Sequence, residues 1–380
     1  MQKLGILGGG QLGKMLCQAA ADWHLPIYVL DKDDSFPAAR YATYFTEGDF
    51  RNREDVLAFG RSMDVVTIEI EHIDTGALHE LVREGVKVYP QPDKIDLIKD
   101  KGLQKRFYAE NDIATSPFEL FDGAEAVRAA VAEGRWTLPF VQKARTGGYD
   151  GQGVAVIRTE ADLAEKLLPV PCLLEGMADI DKEIAVIVAR SPSGEIRTFP
   201  SVEMEFHPTA NLVEFLLCPA AVDGDTNARL TALAQSVAER MDVVGLLAVE
   251  LFLNKDGSIW VNEVAPRPHN SGHHTIEANV TSQYQQHLRA VLDLPLGDTD
   301  LVRPGAMVNL LGAPGHSGPA VYAGWEDLLR IPAVYPHLYG KAETRPYRKM
   351  GHITALGDTV EQARDRAAAA RNAVKVVSGE

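Results

Sequence analysis

Cysteine is scarce in this chain. Cys17, Cys172 and Cys218 are the only three in 380 residues, they form no C-x-x-C pair, and no His or Lys adjoins any of them. That spacing argues against a disulfide framework and fits reduced thiols that pack rather than react, as in a cytosolic protein. Long apolar runs are lacking as well, since none approaches the ~20 residues of a membrane span. No signal-peptide core precedes the strand pattern at MQKLGILGGG, so the expected location is cytoplasmic. Positive charge is in deficit, with 38 Lys and Arg against 53 Asp and Glu and a net charge of −15. This balance argues against nucleic acid or an anionic membrane as main partner, because both need clustered cations. Small anions can still be held by local basic sites. There is no G-x-x-x-x-G-K-[ST] string, no internal repeat and no low-complexity segment.

What is present describes a soluble globular protein, 46% hydrophobic and 24% charged. Its length exceeds the ~250–300 residues at which single cores stop growing, so two or three domains are expected. Residues 1–95 read as an α/β domain of strand, glycine turn, helix and strand, with a later strand at Val65 to Glu71 and a short one at VKVYP. A helical stretch from Asp93 to Asn111 opens a second domain, expected over 96–295, with a small α+β lobe at about 118–180 around a glycine-rich lid. Residues 296–380, where Pro and Gly recur among short strand-like runs, are expected to form a small β-rich domain.

The run LLAVELFL (Leu246 to Leu253) carries one carboxylate, Glu250, and turns back through NKDGS into IWVNEV. A two-residue turn at Asp256-Gly257 sets Glu250 opposite Glu263. Like charges opposed on adjacent strands are destabilising, so the pair calls for a cation. Hard oxygen ligands suit Mg2+, which typically takes one or two carboxylates plus substrate phosphates. Two glycine-rich elements add to this. Gly8, Gly10 and Gly13 in GGGQLG, with Asp31 downstream, match a dinucleotide fingerprint, although any tightly packed βα turn needs the same glycines. Lys143, followed by TGGYDGQG, offers a point charge beside backbone N–H groups able to fold over phosphate. The alternative for that element is a plain hairpin loop. His269, His273 and His274 lie in PRPHNSGHHT without the spacing of a zinc helix, so Arg267, His269 and Asn270 read better as polar groups delivered to a site just beyond Glu263. Arg345, Arg348 and Lys349 form a cationic cluster suited to a phosphate.

Taken in order, GGGQLG, RTGGYDGQG, LLEG, the acidic pair, NEVAPRPHNSGH and RKMGH resemble the 5-(carboxyamino)imidazole ribonucleotide synthases, ATP-grasp enzymes of purine biosynthesis. The resemblance spans nearly the whole chain. It implies an ATP-grasp architecture with an N-terminal Rossmann-like domain, and an ADP-forming carbon–nitrogen ligase acting on ATP, bicarbonate and 5-aminoimidazole ribonucleotide, as a homodimer with Mg2+ or Mn2+. By the same resemblance Lys101, Lys143, Gly148, Tyr149, Asp150, Gly151, Gln152, Gly153 and Val154 contact ATP. Glu175, Gly176, Met177 and Ala178 match the adenine hinge, Glu183 the ribose carboxylate, and His207 a nucleotide-site histidine in a register needing a one-residue insertion. Glu250 and Glu263 match the metal ligands, with Asn262 beside them. Arg267 and His269 would hold the carboxylate-like group, with Tyr149 near the reacting centre and Asp150 orienting or deprotonating the amine. Gln11, Glu71, Asn270, Arg345, Arg348 and Lys349 match positions around the ribonucleotide, the last three at its phosphate.

Two departures stand out. His72 replaces the family's asparagine after Glu71, and Ala265 stands where many other ATP-grasp enzymes carry an asparagine. Regular strand alternation turns Asn262 away from Glu263, so a ligand role for it needs a bend. Competing readings are a formate-using glycinamide ribonucleotide enzyme, a biotin carboxylase, a nicotinamide-dependent oxidoreductase built on GGGQLG and Asp31, and a non-catalytic nucleotide sensor.

Overall fold

The computed structural model describes residues 2–148, 153–206 and 213–379. Tyr149, Asp150, Gly151, Gln152 and His207 lie outside the described residues. The first unit is a five-stranded parallel sheet in the order Tyr44–Glu47, Ile27–Asp31, Leu4–Leu7, Val65–Ile68, Lys87–Val88. Leu4–Leu7 and Val65–Ile68 are buried throughout, as expected of parallel strands covered on both faces. The strand expected to run to Glu71 stops at Ile68, so Glu69 and Glu71 stand at its C-terminal end, where α/β folds place their sites. Helix Gln11–Ala21 packs Leu12, Met15 and Leu16 into a core shared with Tyr284, Leu288 and Val291 of helix Gln283–Val291. This shared core fixes the first unit against the second.

The helical stretch expected from Asp93 to Asn111 is two helices, Pro92–Lys99 and Lys101–Glu110. Asp100 is extended at φ −111°, and its carboxylate accepts from Gly102 N and Leu103 N, capping the second helix. A four-stranded antiparallel sheet follows, in the order Phe118–Phe121, Cys172–Gly176, Phe140–Ala144, Val154–Ile157.

The rest is dominated by one nine-stranded sheet. Its path runs Ile259–Ala265, Gly245–Asn254, Ile180–Arg190, Val202–Phe206, Val213–Cys218, Gly305–Leu311, Lys349–Leu356, Val334–Leu338, with Ile196–Thr198 paired to the side of Ile180–Arg190. The C-terminal strands therefore join the same hydrogen-bonded surface as the acidic hairpin. Helix Val360–Ala373 covers them, burying Ala363, Ala367 and Ala370 along one face. Among the described residues, no helix is long and apolar enough to cross a membrane.

Candidate active site

The hairpin reaches the expected pairing by an unexpected route. Asn254 N bonds Ser258 O at 2.9 Å and Gly257 sits at φ +81°, so the connection is a three-residue loop closed by a left-handed glycine and not the two-residue turn. Near the loop, Leu253 faces Ile259 and Leu251 faces Val261; the register then shifts, and Glu250 faces Glu263. Asn262 is the extra residue of this bulge. A bulge re-aims a side chain, and here it supplies the bend that regular alternation denied. Asn262 Oδ1 accepts from Lys143 Nζ at 2.9 Å, and its Nδ2 lies 3.5 Å from Glu250 Oε2.

Cations already converge on this acidic face. Lys101, at the start of its helix, contacts Glu263 Oε2, and Lys143 Nζ lies 2.7 Å from Glu175 Oε2. Burial raises the Glu250 carboxyl, and the charges of Glu263 and Glu183 raise it further. Burial acts the same way on Glu263, but Lys101 and Lys143 outweigh it and hold that carboxyl low. Burial also pushes Glu183 up to about 7. Two carboxylates and an amide form a hard-oxygen donor set that fits Mg2+ or Mn2+ completed by phosphate oxygens and water. At the neighbouring hinge Glu175 is buried, Gly176 N is committed to Pro117 O at 2.9 Å, and Met177 stands 37% exposed at the strand's end.

The chain leaving Glu263 supplies the adjoining wall. His269 Nε2 lies 3.5 Å from Glu250 Oε1, and its Nδ1 shares a hydrogen bond with Ser271 Oγ at 2.9 Å. Arg267 Nε lies 2.9 Å from Glu71 Oε1, which joins this loop to the first unit. His72 is exposed. Asn270 opens the short turn Asn270–Gly272. His273 is drawn away from the acidic pair into a buried ring cluster, 4.6 Å from the His352 ring and hydrogen-bonded to Tyr284 Oη at 2.8 Å. His274 is buried beside it.

The glycine turn has a different occupant from the one its motif suggests. Gly10 N donates to Glu69 Oε1 at 2.6 Å, Gly13 N to Glu69 Oε2 at 2.7 Å, and Gly9 N to Asp31 Oδ2 at 2.6 Å. A Cβ at Gly8 or Gly10 would fall within 2.5 Å of Glu69 atoms, so these glycines make room for the protein's own carboxylate. Gln11, next to this nest, opens the helix. The nest that would take a dinucleotide phosphate is filled, and Asp31 is 2% exposed; the nicotinamide reading fails on this geometry. Glu69→Ala should cost about 2 kcal/mol or more, because two amides lose a charged acceptor, and Glu69→Gln should cost less; urea denaturation midpoints measure both.

The basic cluster lies on the C-terminal strands. Lys349 begins the strand Lys349–Leu356, Arg345 is exposed, and Arg348 Nη1 donates to Glu343 O at 2.6 Å. Sequence reading passed over Lys341, whose Nζ donates to Lys349 O at 2.7 Å. Burial, then the neighbouring Arg348, Lys349 and Arg345, push its ammonium down to about 8 against the opposing pull of Glu69. The charge of Glu69 thus acts on Lys341, as that of Arg267 acts on Glu69. Lys105, buried 2.9 Å from Glu175 Oε1, and Glu69 were missed because a lysine inside KGLQKRF and a glutamate in TIEIEH carry no local pattern.

Fold and site together define an ATP-grasp protein. Residues 106–284 match the ATP-grasp domain, residues 1–99 the ribonucleotide synthetase preATP-grasp domain, and residues 305–366 the phosphoribosylaminoimidazole carboxylase C-terminal domain. The N5-carboxyaminoimidazole ribonucleotide synthase of Bacillus subtilis is 39% identical over 357 residues, covering 93% of this chain and 91% of the relative. The crystal structure of N5-carboxyaminoimidazole ribonucleotide synthetase from Thermotoga maritima superposes with a TM-score of 0.91 at 42% identity, covering all of both chains. The Aspergillus clavatus synthase, solved with ADP and 5-aminoimidazole ribonucleotide, gives a TM-score of 0.87 at 33% identity over 96% of each chain. The chain belongs to the N5-carboxyaminoimidazole ribonucleotide synthase family.

Proposed function

We propose that this chain carboxylates the amine of 5-aminoimidazole ribonucleotide with bicarbonate, converting ATP to ADP and phosphate. One observation carries the reading: the strand that supplies Glu263 runs directly into Arg267 and His269, and His269 returns to Glu250. A nucleotide-phosphate seat and an acceptor seat thus share a wall. In the reaction, a bicarbonate oxygen attacks the γ-phosphorus and ADP leaves, giving carboxyphosphate. The amine nitrogen then attacks the carboxyl carbon, the carbon–oxygen bond to phosphate breaks, and the amine loses a proton.

Lys143 and Lys101 bind and orient the nucleotide phosphates, and Glu183 the ribose. Glu250 and Glu263, with Asn262, would hold Mg2+ or Mn2+, which when bound neutralises phosphate charge. Arg267 and His269 hold the carboxylate-like group, and Asp150 is the residue offered to the amine proton. Arg345, Arg348 and Lys349 take the ribonucleotide phosphate, joined by Lys341. Domain limits of 1–95, 96–295 and 296–380 and a cytoplasmic homodimer belong to the same reading; sedimentation equilibrium tests the dimer.

The deciding assay is the co-substrate requirement for ADP formation, with the product identified by mass. ADP should appear only with bicarbonate and 5-aminoimidazole ribonucleotide together. Equal turnover with formate and glycinamide ribonucleotide would overturn the assignment. The pH dependence adds a check on the phosphate seat. Lys341 is charged below about pH 8 and neutral above it, so the ribonucleotide KM should rise as pH climbs through 8. Lys341→Arg should flatten that rise, since guanidinium keeps its proton.

A further inference from the structure

Lys101 and Lys105 lie one turn apart on the helix Lys101–Glu110 and reach different carboxylates. Lys101 meets the outer acid Glu263. Lys105 goes inward: it is 2% exposed, as is Glu175, and its Nζ lies 2.9 Å from Glu175 Oε1. The other oxygen of Glu175 holds Lys143 at 2.7 Å, and Lys143 in turn donates to Asn262 Oδ1 at 2.9 Å. Lys105 also donates to Thr115 Oγ1, whose hydroxyl donates to Val261 O at 2.7 Å. Val261 precedes the bulge residue Asn262 in the chain. The contacts therefore close a ring through Lys105, Glu175, Lys143, Asn262, Val261 and Thr115, linking the helix, the four-stranded sheet and the acidic hairpin.

The charge count of this ring is informative. A single carboxylate paired with Lys143 alone would cancel the lysine's charge in a setting where few waters screen it. With two ammoniums on one carboxylate, the cluster keeps a net charge of plus one. Lys105 retains its proton at neutral pH, since burial lowers it only to about 8. Glu175 stays ionised, because the two lysines outweigh the burial that would otherwise raise it. The carboxylates of Glu183, Glu250 and Glu263 act on Lys143 from farther off. We propose that Lys105 is a positioning residue for phosphoryl transfer: it neutralises Glu175, so that Glu175 can aim Lys143 at the nucleotide phosphates without consuming its charge. The proposal rests on the reading of Lys143 as a phosphate contact.

The test is steady-state kinetics of the full chain with ATP, bicarbonate and 5-aminoimidazole ribonucleotide. Lys105→Met should raise the KM for ATP about tenfold or more, with the ribonucleotide KM unchanged, and Lys105→Arg should recover most of the loss. Lys105→Gln, which can still donate to Thr115 and Glu175, carries the same expectation and spares the fold if the methionine variant does not accumulate. In a Glu175→Gln background there is no carboxylate to neutralise, so adding Lys105→Gln should change the KM for ATP by less than twofold. A folded Lys105→Gln protein with an unaltered KM for ATP overturns the proposal, as does an equal effect in both backgrounds. Lys143→Met measured alongside separates the two readings: if it leaves the KM for ATP unchanged, the phosphate role of Lys143 fails. If it impairs ATP use while Lys105→Gln does not, only the role of Lys105 falls.

Discussion

Glu263→Gln should reduce ADP formation on the order of 10³-fold, about 4 kcal/mol of lost transition-state stabilisation at 1.36 kcal/mol per tenfold. The amide preserves the shape of the carboxylate while removing its charge. Glu263 sits on the edge strand of the large sheet, and the amide gives up the pull of Lys101 while relieving the repulsion with Glu250, so the two changes offset each other in folding. Thermal unfolding should therefore move by no more than a few degrees. The residual activity should need much higher Mg2+ to saturate, because a hard cation with one carboxylate instead of two depends more on phosphate oxygens and water. Turnover within tenfold of the unaltered chain, at ordinary Mg2+, would remove Glu263 from the metal seat.

The second large effect is expected at Lys143. Lys143→Met keeps the length of the stem and deletes the charge, and should lower kcat/KM for ATP by roughly 10²- to 10³-fold, the scale on which single preorganised charges act in phosphoryl and acyl transfer. Its neighbours explain why the loss should fall on the nucleotide. The ammonium is bracketed by Glu175 at 2.7 Å and Asn262 at 2.9 Å, which sets its position at the acidic face. The KM for the ribonucleotide should hold, since the basic cluster belongs to the C-terminal strands. Parallel loss in both Michaelis constants would instead mean that the variant had disturbed the cleft as a whole.

The acidic pair was legible because strand alternation and a short hairpin force two carboxylates together whatever the detail of the turn. The detail differed twice, by a longer loop and by a bulge, and the two shifts offset each other. That cancellation is invisible in sequence, since nothing in IWVNEV marks Asn262 as an extra residue. The parallel sheet of the first unit was equally readable from its apolar runs, but Tyr44–Glu47, largely exposed on the sheet edge, carries no such run. GGGQLG offered either a dinucleotide fingerprint or a tightly packed βα turn, and the turn is packed by a carboxylate. Its occupant, Glu69, lies 59 residues from Gly10 and is brought to it only by parallel pairing of Leu4–Leu7 with Val65–Ile68. Lys105 was hidden for the same reason: it lies on a helix, and its partner Glu175 comes from the four-stranded sheet 70 positions further along the chain. Pattern reading finds residues that act through local spacing and misses those that act through a tertiary partner.

The ladder between Val213–Cys218 and Gly305–Leu311 also bears on how the chain can be dissected. Three family segments succeed one another along the sequence, but a cut near residue 300 would strip four paired positions from Val213–Cys218 and leave Phe215, Leu216 and Leu217 on a bare edge. An unprotected apolar edge strand is a template for pairing with other copies. The shorter fragment would therefore be expected to self-associate before it could bind a nucleotide, and the last eighty residues serve the middle of the molecule as its insulation.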